Sequence, residues 1–309
     1  MHSQNASDAL GVLYKHINSY LILQWRKILL KSRIITTVIL VPSMIISLFM
    51  LPPLGFAVMT LIICMLAAWE WGKLAGFAIN SQRIWCALFF GLVLVAMLFS
   101  FYVFNFSVHV IGGSLWAAII WWMFALLLVL FYPKSAVWWK HSRILKIIFG
   151  AATIVPFFGS TIALRQYGYK INSDQGIWCL LYIMVLVWCI DSSAYMFGNL
   201  FGKNKISPKI SPGKTWEGFI GSLTTSTIIS WVFSFYAPPR FIPAHLIFYS
   251  IIVAMSSMLG DLTESMFKRE AGIKDSSFLI PGHGGILDRI DSLTAAVPVF
   301  AFFMLLIFD

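Results

Sequence analysis

Long apolar runs alternate with short polar connections along most of this chain. Nine of the runs could cross a hydrocarbon layer of ~30 Å as helices at ~1.5 Å per residue. They cover roughly 34–51, 54–71, 85–105, 109–132, 144–164, 176–197, 216–236, 244–266 and 292–308. Their spacing predicts an all-α polytopic membrane protein of about nine transmembrane helices. A basic tail, 1–33, precedes a single transmembrane domain, 34–309. In the tail Leu13, Ile17, Leu21, Trp25 and Ile28 recur at helical spacing. That pattern suits an interfacial amphipathic helix, with a disordered basic tail as the other reading. The scattered apolar residues of the tail do not make a cleavable signal peptide.

Composition agrees with the pattern. Hydrophobic residues make up 60% of the 309 and charged residues only 11%, where soluble domains carry about 25% charged. The net charge of +10 would point to nucleic acid in a soluble protein. In a membrane protein it points to basic cytoplasmic loops and anionic lipid headgroups, so no nucleic-acid partner is expected. Of the 22 Lys and Arg, 19 fall in alternate connections and 3 in the others. The positive-inside rule then puts the N-terminus and the charged loops in the cytoplasm and Asp309 outside. The expected setting is a bacterial inner membrane. The four cysteines lie in or beside apolar runs without a CxxC pair and read as small buried residues.

The eighth run is the one that ends in chemistry. A helix running from about Leu246 to Arg269 places Asp261, Glu264, Ser265 and Lys268 on one face, at i, i+3, i+4 and i+7. Asp261 then lies roughly 22 Å along that helix, in or at the edge of the hydrocarbon. A carboxylate there costs ~2.5–3.5 kcal/mol on the insertion scale and needs an interior partner. A divalent cation would serve, since Mg²⁺ takes hard oxygens from one or two carboxylates plus substrate phosphates.

Next comes Pro281-Gly282-His283-Gly284-Gly285, a turn that can aim backbone N–H groups at an anion. Asp288, Arg289 and Asp291 follow, Asp291 being either a third acid or the N-cap of the ninth run. Carboxylates, cations and an N–H cradle together are the equipment of phosphoryl or nucleotidyl transfer.

Two more polar stretches face the same side. The sixth run carries Asp191-Ser192-Ser193-Ala194-Tyr195 and Gly198, with Asp191 toward its cytoplasmic half. The connection Ser207–Gly218 holds two Ser-Pro steps, with Lys209 between them and Lys214 after the second, and reads as a stiff basic loop leading into a helix. It lacks the spacing of a Walker A loop. Glu70 falls three residues before Lys73 and reads as its ion-pair partner on the second helix. The Trp pairs 121–122 and 138–139 read as packing or interfacial aromatics.

A resemblance runs through these stretches. Ser265, Lys268-Arg269, Lys274-Asp275, His283-Gly284-Gly285, Asp288-Arg289 and Asp291 span 27 positions and resemble the signature of the phosphatidate cytidylyltransferases, the CDP-diacylglycerol synthases. Asp191–Gly198 and Ser211–Gly218 also resemble runs of that family, the second with Gly213 just before Lys214, so the likeness reaches across about 188–292. It implies transfer of the cytidylyl group of CTP to phosphatidic acid in phospholipid biosynthesis. Under that reading Asp261 and Asp288 hold Mg²⁺, and Lys268, Arg289 and Asp291 join them as catalytic residues. Asp191, Lys209, Lys214, Ser265, His283, Gly284 and Gly285 bind substrate. The resemblance also implies a second cation, K⁺ or Mg²⁺, near the same acids, and a homodimer in the membrane.

Two other classes remain open on the residues alone. Intramembrane acids also mark ion-coupled transporters, although the inverted repeats and broken helices of such proteins are not seen here. A polyprenol-kinase-like lipid enzyme would also use CTP, acids and lysines.

Overall fold

The computed structural model describes residues 36–104, 108–169, 174–235, 243–280, 282 and 284–307. The tail 1–33 and His283 lie outside them. The described residues form ten α-helices and one small hairpin. These are α1 (Thr36–Met50), α2 (Pro53–Leu74), α3 (Asn80–Val103), α4 (Val108–Leu130), α5 (Ala136–Trp139) and α6 (Arg143–Gln166), followed by α7 (Gln175–Phe201). Strands β1 (Lys205–Ser207) and β2 (Ser211–Thr215) come next. They are followed by α8 (Trp216–Ser234), α9 (Pro243–Glu270) and α10 (Leu287–Phe302), which ends in a π-helical turn, Phe303–Ile307. This is an all-α integral membrane protein.

Among the described residues seven helices are long and apolar enough to span a membrane: α2, α3, α4, α6, α7, α9 and α10. The other two expected spans are helical as well. Only 15 residues of the first are described, as α1. The seventh, α8, is rich in Ser and Thr, and its hydroxyls donate back to carbonyls three or four residues earlier, as Ser222 does to Phe219 and Thr225 to Gly221. Such bonds let polar side chains sit on a helix without a partner helix. Ser222, Ser226 and Ser230 are buried at four-residue spacing, so this face is turned inward and packs between α7 and α9.

The Ser207–Gly218 stretch, expected as a loop, is instead an antiparallel hairpin that pairs Lys205 with Thr215 and Ser207 with Ser211. Thr215 closes it by capping α8, its hydroxyl accepting from the Gly218 N–H at 3.2 Å. Arg269, at the end of α9, pins the hairpin tip by donating to the Ile210 carbonyl at 2.9 Å.

Beneath the polar end of α9 lies an aromatic cluster. The Phe267 ring is 4.8 Å from that of Trp139, 5.2 Å from Trp71 and 5.9 Å from Phe149. It fastens α9 to α2, α5 and α6. Trp121, Trp122 and Trp139 are buried packing residues, whereas Trp138 is exposed.

Candidate active site

Helices α7, α8, α9 and α10 and the hairpin enclose a cavity of about 490 Å³. Helices α7, α9 and α10 each bring an acid there for a local reason. Helix α9 runs unbroken to Glu270, so the expected i, i+4, i+7 face of Asp261, Ser265 and Lys268 forms. Gly260 lets α10 approach so closely that a Cβ there would strike the Asp291 carbonyl. Asp291 therefore arrives beside Asp261. Helix α7 adds Asp191, whose Oδ1 lies 3.4 Å from the hydroxyls of Ser257 on α9 and Ser292 on α10.

Five carboxylates open onto the cavity: Asp191, Asp261, Asp275, Asp288 and Asp291. Three cations face them: Lys214, Lys268 and Arg289. The Lys214 Nζ is 2.7 Å from Asp261 Oδ2, and the Ser265 hydroxyl donates to Asp261 Oδ1 at 3.1 Å. Lys268 is nearly buried between two acids, 2.8 Å from Asp288 Oδ1 and 3.2 Å from Glu264 Oε1. The intramembrane carboxylates thus have interior partners: lysines for Asp261, Glu264 and Asp288, and serine hydroxyls for Asp191.

Several expectations need correction. Asp291 is not a helix cap. Helix α10 starts at Leu287, earlier than the apolar run suggests, and its N-cap residue is Ile286. Lys209 is exposed at the hairpin turn and does not line the cavity, whereas Lys214 on β2 does. The antiparallel pairing reverses the chain between them, so only one of the two lysines reaches inward.

The glycine turn is also occupied differently from expectation. Gly282 and Gly284 have φ of +77° and +83°, as the sequence suggested. The N–H groups that follow, however, are taken by protein carboxylates. Gly285 N donates to Asp288 Oδ2 at 2.8 Å. Ile286 N and Leu287 N donate to Glu70 at 2.9 and 2.7 Å. The cradle expected for phosphate holds side-chain acids.

Glu70 is thus the residue the sequence reading misplaced. It does not pair with Lys73, whose Nζ donates instead to the Ser276 carbonyl at 3.1 Å. Nothing local could have revealed this, because its four donors lie more than 200 positions away. Asp275, on the cavity wall, was visible as part of the signature but not as a site residue.

The donor set fits a hard cation. Five acids against three bases leave the cavity net negative, which would repel nucleotide phosphates unless a cation joined them. Among the described residues no three His, Cys, Asp or Glu side chains stand close enough to hold a metal by themselves. Phosphate oxygens and water would have to complete the shell, which is the usual habit of Mg²⁺.

Comparison with known proteins gives this geometry its context. A model of the cytidylyltransferase family matches residues 31–307. The chain belongs to the cytidylyltransferase family. It is 40% identical to the phosphatidate cytidylyltransferase of Haemophilus influenzae over 283 residues, covering 89% of this chain and 98% of that protein. It is 39% identical to the Pseudomonas aeruginosa phosphatidate cytidylyltransferase over 274 residues, 88% of this chain and 96% of the other. A Staphylococcus haemolyticus protein of the same name is 46% identical over 134 residues, which cover 43% of this chain and 51% of that one. As a member of this cytidylyltransferase family, the chain carries its polar cavity where α7 to α10 meet, between Asp191 and Ser292.

Proposed function

We propose that the chain is a phosphatidate cytidylyltransferase. It joins CTP and phosphatidic acid to form CDP-diacylglycerol and releases pyrophosphate. The observation that carries this reading is the meeting of Asp191, Lys214, Asp261, Lys268, Asp288 and Arg289 on one cavity, in a chain that matches the Haemophilus and Pseudomonas relatives over nearly their whole length. A phosphate oxygen of the lipid attacks the α-phosphorus of CTP. The bond from that phosphorus to the β,γ-pyrophosphate breaks. The nucleophile is already an anion, so no covalent enzyme intermediate is needed, and catalysis rests on positioning and charge.

Arg289 and Lys214 lie on the cavity wall where they can hold phosphate oxygens. Lys268 keeps Asp288 charged and aimed. Asp261 and Asp288 would hold Mg²⁺, which when bound neutralises the triphosphate. Asp191, Asp275 and Asp291 are the acids left on the cavity for a second cation, K⁺ or Mg²⁺. The alternation of basic loops has the cavity facing the cytoplasm, the source of CTP, while the lipid enters sideways from the leaflet. The assembly implied by the resemblance is a homodimer.

Purified protein given phosphatidate, Mg²⁺ and labelled CTP tests the reading. Label passing from the α-phosphate into lipid is the expected result. Label from the γ-phosphate would mean a kinase. No labelled lipid, with ion flux in vesicles, would mean a transporter.

The two lysines give a sharper test. Lys214→Ala is expected to raise KM for CTP about tenfold, equivalent to about 1.4 kcal/mol. Lys209→Ala is expected to change KM less than about twofold, since an isolated exposed charge contributes little. Equal effects from the two would remove Lys214 from the nucleotide site.

A further inference from the structure

The cavity is built from the second half of the chain, yet one of the most thoroughly bonded acids beside it comes from the first. Glu70 sits in the last turns of α2 and is 1% exposed. Its Oε1 accepts from the Ser277 hydroxyl at 2.6 Å and from Ile286 N at 2.9 Å. Its Oε2 accepts from the Ser276 hydroxyl at 2.9 Å and from Leu287 N at 2.7 Å. One carboxylate therefore grips both ends of the 276–287 segment. A buried acid with four donors is held far more firmly than an exposed ion pair.

The grip reaches Asp288 through two groups. The Ser276 hydroxyl stands 2.9 Å from Glu70 Oε2 and also 2.9 Å from Asp288 Oδ2. A hydroxyl has one proton, so it can serve only one of the two acids at a time. Glu70 keeps three other donors and Asp288 Oδ2 keeps two, Ser276 N and Gly285 N. The serine can therefore turn toward Glu70 when Asp288 takes a different partner, without leaving either acid bare. Gly285 is the second link. A Cβ there would collide with the Ser276 hydroxyl and the Glu70 carboxylate, so only glycine brings its N–H to Asp288 in this packing.

We propose that Glu70 is a positioning residue for the transfer reaction: it clamps the 276–287 segment so that Ser276 and Gly285 aim the Asp288 carboxylate into the cavity. This rests on the proposed cytidylyl transfer for its chemical consequence, but the clamp itself can be tested apart from turnover. An amide in place of the carboxylate keeps the volume of the side chain. It leaves one oxygen and turns an NH₂ against groups that are themselves donors.

The experiment uses the full-length protein in detergent with Glu70→Gln, and reads three quantities. In the Gln variant, amides of 276–288 should exchange hydrogen at least tenfold faster, while peptides of α3 and α4 stay as in wild type. Turnover should fall about thirtyfold, with KM for phosphatidate within twofold and the melting temperature close to wild type. Glu70→Asp should recover part of the turnover.

A melting temperature that collapses, with exchange rising throughout and turnover per folded molecule unchanged, would mean that Glu70 only holds the fold, and would overturn the proposal. So would unchanged exchange in 276–288. If the Gln variant does not fold, Ser277→Ala removes a single donor, and segment exchange that does not rise in that variant also overturns the clamp. A wild type that labels no lipid sinks the assigned reaction, while the exchange comparison still decides whether Glu70 grips the segment.

Discussion

Asp288→Asn is expected to lower cytidylyl transfer by about 10³-fold or more, the scale lost when one preorganised electrostatic group is removed from a reacting centre. The protein should remain folded. Asp288 receives Lys268 on one oxygen and Ser276 and Gly285 on the other. An amide of the same shape keeps one acceptor, and Lys268 retains Glu264 at 3.2 Å. What disappears is the negative charge on the cavity wall. Labelled-CTP assays over a wide range of Mg²⁺ concentrations, together with gel filtration in detergent, check both parts. Near-normal turnover at limiting Mg²⁺ would show that Asp288 holds no cation that matters to the reaction.

The second large effect is on stability. Lys268→Met should destabilise the protein by about 3–5 kcal/mol, because removing one partner of a buried pair leaves the opposite charge uncompensated. Here two acids would be left. Side-chain exposure is 11% for Lys268, 3% for Glu264 and 6% for Asp288, so water screens little of the loss. The aliphatic stem is preserved by Met, which separates charge from packing. Denaturation in mixed micelles measures the change, and Lys268→Arg should restore part of it. A Met variant as stable as wild type would mean that the acids are neutral in the fold without the lysine.

Much of the candidate site was legible because it is local. The face made by Asp261, Ser265 and Lys268 follows from helical periodicity once α9 is continuous, and it is. Asp288 and Arg289 lie within a few residues of a glycine turn whose positive φ angles were also expected. The same periodicity, combined with length, found each of the seven helices that are long and apolar enough to span among the described residues. In α8 hydroxyl residues satisfied within the helix take the place of apolar ones, and the helix covers most of the expected run. The periodicity underestimated α10, because charged Asp288 and Asp291 look like loop residues until their partners are seen.

The sequence alone determined the solvent in which this chain folds, the order of its helices and the family signature of its acids and bases. Those properties are written in residue type and spacing over tens of positions. Only the tertiary structure decided which charges meet. Lys214 reaches Asp261 across 47 positions while Lys209 faces away. Glu70 abandons its neighbour Lys73 for donors more than 200 residues distant. A buried acid is satisfied by whichever donors the packing of helices brings within about 3 Å, and that packing has no period along the chain.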